Sequence, residues 1–189
     1  MTVSNTALLL LDVQAGNVER YGSPELADRL AKAAGEARSA GIPVLHVALA
    51  FRTGFPEVAS RNKMFSRVAT SGRYSPEDPG GVIHEAVGPE KGDVIVRKRR
   101  VSGFTGSDLE VVLRARGVRS LVLAGIATSG VVLSTLREAA DKDFDLTVLS
   151  DGCADPDPEV HRVLLAKVFP SQADVLSTDS WVSAIAAAR

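Results

Sequence analysis

The sequence predicts an α/β fold, a three-layer sandwich around a roughly six-stranded, mainly parallel sheet. Short apolar runs recur without the apolar–polar alternation of a half-exposed strand, so both of their faces must be covered, as in a parallel sheet. Segments with helical periodicity separate most of these runs. Strands alternating with helices, joined by right-handed crossovers, place a helical layer on each face.

Residues 7–11 (ALLLL) form the first run, ended by Asp12. Residues 24–40 then carry Leu26, Leu30, Ala33, Ala34 and Ala37 at helical spacing, with Ser23 as N-cap and Gly41 as the stop. Residues 43–49 (PVLHVAL) make a second buried strand. The alternation returns as strand 93–97, helix 107–116, strand 120–124, helix 129–142 and strand 145–149. A helix over 157–169, a short strand near 173–176 and a terminal helix from Asp179 complete the pattern. Residues 51–92 break it. They are rich in Gly, Pro, Arg and Ser, and far exceed the usual connection of about 4–6 residues, the mark of a binding element or lid.

With 189 residues, one domain over 1–189 is expected. Twenty-two Lys and Arg against 23 Asp and Glu give a net charge of −1, so no global field draws the chain to nucleic acid or to an anionic membrane. The run Arg97-Lys98-Arg99-Arg100 is read as one functional lysine among solvated or substrate-facing arginines. A single cysteine and three scattered histidines exclude a disulfide scaffold and a Cys/His zinc module, and fit a reducing cytoplasm. The first eleven residues lack the basic flank and cleavage pattern of a secretory signal, and no apolar stretch approaches the roughly 20 residues that span a bilayer.

In open parallel sheets, ligands bind beyond the carboxyl ends of the strands, where the chain order reverses. That rule selects Asp12 after the first strand, Lys98 after the third and the 125–130 turn (GIATSG) after the fourth. An acid at the end of an apolar strand is partly desolvated, and a nearby ammonium either holds it ionised or shares its proton. The same residues also fit a structural part, with Asp12 capping a turn and Lys98 one cation of a solvated run. The turn presents backbone N–H groups at a helix start, suited to an anion or oxyanion. It lacks the Lys and Ser/Thr of a Walker loop and does not match Gly-x-Gly-x-x-Gly, so no nucleotide cofactor is expected.

Taken in order, these pieces resemble one family, the isochorismatase-like hydrolases or cysteine hydrolases, which includes nicotinamidases, ureidoacrylate hydrolases and N-carbamoylsarcosine amidohydrolases. Asp12-Val13-Gln14 is similar to the family's Asp-x-Gln, and KRRVSGF from Lys98 to its Lys-x-x-x-Ser-Ala-Phe. GIATSGVVLST from Gly125 is similar to Gly-Val-x-Thr-x-x-Cys-Val-x-x-Thr, and LSDGCA from Leu149 to Ser-Asp-Ala-Cys-Ala. The resemblance covers nearly the whole chain and implies an isochorismatase-like, Rossmann-like sandwich. It also implies an Asp-Lys-Cys triad in which a thiolate attacks carbon. Asp12 and Lys98 match the first two members, but Val131 stands at the cysteine position, and an isopropyl group has no lone pair for covalent catalysis. Cys153, the sole cysteine, falls in the turn after the fifth strand and is expected to be a small buried residue.

Three functional readings follow. The first is a cysteine-independent hydrolase in which a neutral Asp12 protonates a vinyl ether and water adds. The second is direct hydrolysis of an amide, imine or strained ring by water that Asp12 activates. The third is an inactive small-molecule binder. A hydroxyl nucleophile from Thr128, Ser129 or Ser134 is disfavoured because no histidine lies in these motifs. Gln14, Ser102, Phe104, Ala127 and Thr128 are expected at the oxyanion or substrate site, with Arg52, Arg61 and Arg67 of the long loop as candidates to clamp an anionic substrate. Phe51, Phe55 and Phe65 would line the pocket or pack the lid. His46 is read as a core residue, and His84 and His161 as surface or helix-face residues. The zinc sites of nicotinamidases use Asp-x-His after the second strand, and that loop has no histidine here, so no metal is expected. The resemblance further implies a cis Ala127–Thr128 peptide and a homodimer or homotetramer, with Val131, Val132 and Leu136 contributing to contacts.

Overall fold

The computed structural model describes residues 5–188; the leading residues 1–4 and Arg189, to which the signal and terminal-helix readings extend, lie outside them. Six parallel strands form one sheet: β1 (Thr6–Leu11), β2 (Val44–Leu49), β3 (Val94–Lys98), β4 (Ser120–Ile126), β5 (Asp145–Ala154) and β6 (Asp174–Leu176). Their spatial order is β3-β2-β1-β4-β5-β6, that of dinucleotide-binding sheets, and the order in which strands are added switches sides between β1 and β4. Every residue of β1 and β2 is buried, which explains their uninterrupted apolar sequence.

Successive side chains point to opposite faces and build two cores. Leu9, Leu11, Val47, Leu121 and Leu123 pack on α4 (Leu109–Ala115) and α5 (Leu133–Ala140). Leu8, Leu10, Val122 and Ala124 pack on α2 (Pro24–Ser39) and the carboxyl-terminal helix (Thr178–Ala187). In α2, Ser23 Oγ accepts the Leu26 amide (3.2 Å), and the buried face is the predicted Leu26, Leu30, Ala33, Ala34 and Ala37 stripe. Val131, Val132 and Leu136 are buried in the first of these cores, on the α4 and α5 side, so they are core residues and not the subunit contacts expected.

Two helices escape sequence reading. Helix α1 (Ala15–Tyr21) has no side-chain N-cap bond and buries only Asn17 and Val18, too short a pattern to show a period. Helix α3 (Lys63–Ser71) sits inside the long Gly/Pro-rich segment, capped by Asn62 and anchored by Phe65 and Val68. The expected 157–169 helix is α6 (Pro158–Val163) followed by a π turn and a 3₁₀ turn, and β5 runs past Leu149 through an irregularity to Ala154. Among the described residues no helix is long and apolar enough to cross a membrane.

His46 lies in the interior as expected, but it is paired there. Its Nε2 is 3.0 Å from Asp93, which also receives Arg38 Nη2 (2.7 Å) and the Glu90 amide (2.9 Å). Burial alone would raise the Asp93 carboxyl, but these donors outweigh it and hold it down to about 2. A carboxylate depressed from 3.8 to about 2 contributes stability that is complete above pH 4 and lost as pH falls through that window, about 2 kcal/mol in all. Asp93→Asn should therefore lower urea stability at pH 7 by at least that amount and flatten the acid limb between pH 4 and 2. An unchanged acid limb in chemical denaturation would remove this role.

Candidate active site

At the reversal between β1 and β4, the ends of three strands converge. Asp12 follows β1 with φ 51°, in the left-handed region that Asp tolerates better than most residues. Its carbonyl accepts the Gln14 amide (2.8 Å) and Asn17 Nδ2 (2.9 Å), which hold that conformation. The side chain turns into the sheet edge, where Oδ1 accepts the Leu49 amide at 3.0 Å and Oδ2 lies 2.9 Å from Lys98 Nζ. Lys98 is 1% exposed and Asp12 8%, so the pair is nearly dry.

The ammonium's remaining donors go to the carbonyls of Arg100 (2.9 Å) and Val101 (3.1 Å). The chain after β3 therefore curls around its own lysine. That curl is pinned to α5, where Gly103 N–H donates to Thr135 Oγ1 (2.9 Å) and Ser102 Oγ donates to Glu138 (2.5 Å). Burial raises the Asp12 carboxyl above its ordinary 3.8, and Lys98, the main opposing influence, does not cancel the rise. The arrangement can hold a proton on Asp12 or accept one there.

Asp12 and Lys98 open onto a cavity of about 250 Å³, small for a ligand site. Phe65, Tyr74, Arg73, Ala127, Ser129 and Val131 line other parts of it. Val131, 3% exposed, presents its isopropyl group to this cavity. The Ser129 hydroxyl has no hydrogen-bond partner among the described residues, and its amide donates to Asp155 (2.6 Å). Cys153 lies on β5, paired with Gly125 outside the cavity lining, and burial pushes its thiol up to about 12.

The other predicted site residues take different places. Gln14 is fully buried and acts as a strut: its Oε1 accepts the Leu49 amide (3.1 Å) and its Nε2 donates to the carbonyls of Leu49 (3.0 Å) and Gly81 (2.6 Å). It thus ties β1, β2 and the long segment together around Asp12. Ser102 and Phe104 are absent from the cavity lining; Ser102 docks on α5, and Phe104 is in the core against Phe144. Arg52 and Arg61 are also absent from it: Arg52 Nη1 is taken by Glu57 (2.7 Å), and Arg61 is exposed. Phe51 and Phe55 pack with Phe65 as a lid cluster, and of these three only Phe65 reaches the cavity.

Thr128 is fully buried, and its Oγ1 lies 2.8 Å from His161 Nδ1. A histidine does therefore meet this turn, brought from α6 some 30 residues away, which motif reading could not see. Neither member of the pair lines the cavity. The cis peptide is Ile126–Ala127, one bond before the expected Ala127–Thr128, at the junction between β4 and the π turn Thr128–Val132. His84 caps the 3₁₀ turn at Ala86. Arg73 and Tyr74, unremarked in the sequence, are cavity residues that only the path of the long segment reveals. Among the described residues, no three His, Cys, Asp or Glu side chains come together as metal ligands.

The chain matches the isochorismatase domain over residues 6–180. It is 30% identical to the uncharacterized isochorismatase family protein YecD of Escherichia coli O157:H7, over 98% of each chain. It is 34% identical to the ureidoacrylate amidohydrolase RutB of Methylobacterium radiotolerans, over 97% of this chain and 78% of that one. The crystal structure of a cysteine hydrolase from Pseudomonas syringae pv. phaseolicola 1448A aligns with TM-score 0.91 and 25% identity, covering 100% of this chain and 96% of the other.

Two outcomes follow from this geometry. At Gly125, φ is 147° and a Cβ would meet the Leu11 carbonyl oxygen at 2.0 Å, so Gly125→Ala should destabilise by roughly 3 kcal/mol in urea titration. A loss under 1 kcal/mol would show that β1 and β4 can part without cost. Cys153 should resist iodoacetamide at pH 8 in the folded protein and react fully in urea, as read by mass spectrometry.

Proposed function

The chain belongs to the isochorismatase family, and we propose that it is a hydrolase of a small-molecule metabolite, one domain over residues 1–189, that works without a cysteine nucleophile. The observation that carries this reading is the buried 2.9 Å contact between Asp12 and Lys98, facing a cavity lined by Val131 and by no cysteine. A nearly dry acid–ammonium pair gains little as mere scaffolding, since each group that is ionised there loses several kcal/mol of hydration before attraction is counted. A site for proton transfer makes sense of retaining it.

In the leading reading the substrate is a vinyl ether. Asp12, kept protonated by its dry surroundings, gives its proton to the enol carbon, leaving an oxocarbenium ion. Lys98 steadies the carboxylate left behind. Water adds to the cation and returns a proton to Asp12, and the hemiketal then divides into a ketone and an alcohol. Positioned acid catalysis of this kind supplies roughly 10² to 10⁴ in rate. Gln14 is a positioning residue here, because it shares the Leu49 amide with Asp12.

A second reading is direct attack of water on a C–N bond with Asp12 as base, and it is favoured by the amidohydrolase among the relatives. The two readings predict opposite pH dependence. If Asp12 is the acid, kcat/KM falls as pH rises through its elevated value, because the protonated form is lost; if it is the base, kcat/KM rises through the same value. A hydrolysis screen spanning vinyl ethers, amides and cyclic imides supplies the substrate for that profile. Asp12→Asn should lower turnover by about 10² or more and abolish the pH limb. Lys98→Ala should lower it comparably, with folding checked by circular dichroism. Full turnover in both variants, or inactivation of the native protein by alkylation traced to Cys153, would defeat the assignment.

A further inference from the structure

We propose that Arg73 is the specificity-determining residue of this cavity and that it recognises a carboxylate on the substrate. The inference rests on the cavity being the reaction site. Arg73 follows α3, half-buried, and lines the same cavity as Asp12 and Lys98. No carboxylate lies within ion-pair distance of it among the described residues. Glu77 and Asp78 share a surface hollow with Arg73, but Glu77 accepts from Thr53 Oγ1 (3.0 Å), and Asp78 from the amides of Tyr74 (2.6 Å) and Gly80 (2.9 Å). The donors of the guanidinium remain free for a planar anion, for which a fork of N–H groups is the natural partner.

The guanidinium is also held in place. Its carbon sits 5.2 Å from the centre of the Tyr74 ring, a cation–π contact. The Tyr74 hydroxyl donates to Asn17 Oδ1 (2.7 Å), and Asn17 Nδ2 donates to the Asp12 carbonyl (2.9 Å). Two hydrogen bonds thus connect the platform under Arg73 to the backbone that carries the reactive acid. The anion site and the proton site are set by one local network.

The surroundings favour the same ligand. Beyond Arg73 the cavity adjoins a groove, sharing Met64 and Val68 with it, that is lined by Arg20, Lys63 and Arg67 and by no acidic residue. None of these three cations forms an ion pair among the described residues. Within the cavity Lys98 at least balances Asp12, which is neutral in the leading reading, so the uncompensated charge met by an entering molecule is positive. The groove draws an anion inward and Arg73 binds it. The substrate class is accordingly a small carboxylate whose scissile group reaches Asp12.

Calorimetric titration with benzoate and its neutral counterpart benzamide tests this without any turnover. The wild-type protein should bind benzoate at least roughly tenfold more tightly than benzamide. Arg73→Gln should bring the two within about twofold, whereas Arg116→Gln, at the amino end of the sheet, should leave the preference intact. Equal affinities in the wild type, or a preference that survives Arg73→Gln, overturns the proposal. Because binding alone is read, either result leaves the Asp12–Lys98 chemistry standing. Conversely, a pH–rate profile indifferent to Asp12→Asn would defeat that chemistry without touching the benzoate result.

Discussion

An acid and an ammonium buried together at the carboxyl edge of the sheet are the constraint around which this molecule is organised. Removing either partner of such a pair leaves an uncompensated buried charge, at a cost of about 3–5 kcal/mol, so both must be delivered to one place with little freedom. The surrounding hydrogen bonds meet that demand. The carbonyls of Arg100 and Val101 complete the shell of Lys98, and the Leu49 amide and Gln14 fix Asp12. Residues that looked like substrate contacts are in several cases the scaffolding of this pair.

The same constraint explains the shape of the neighbourhood. Gly125 allows the end of β4 to pass against the Leu11 carbonyl, which brings the π turn with Ala127 and Val131 to the wall opposite the acid. The segment between β2 and β3 folds back so that Ile83 bridges Gln14 and Gly81 receives the Gln14 amide, closing the site from above. It carries helix α3, the phenylalanine cluster and most of the arginine- and lysine-lined groove beside the cavity.

Much of this was legible in the primary structure, and the reason differs by element. β1 and β2 are apolar on both faces because both faces are covered, so their runs could be read directly. Asp12 and Lys98 were legible because strand ends are few and a charged residue ending an apolar run has few explanations. Helix α1 was not, since seven residues with two buried positions carry no measurable period. Arg52, Arg61 and Arg73 look alike in a linear reading. What separates them is that Glu57 engages Arg52, Arg61 is exposed outside the cavity lining, and Arg73 lies on Tyr74 at the cavity edge.

The pattern of apolar runs and charged strand ends was enough to settle the layered sheet and the family likeness, because each depends on residue type and short spacing. Partnerships across long separations were beyond its reach. His161 meets Thr128 from 33 positions away, Tyr74 meets Asn17 from 57 and Gln14 meets Gly81 from 67. Such contacts arise when the packed sheet brings distant loops to one edge, and nothing in the local order of residues records which loop arrives beside which.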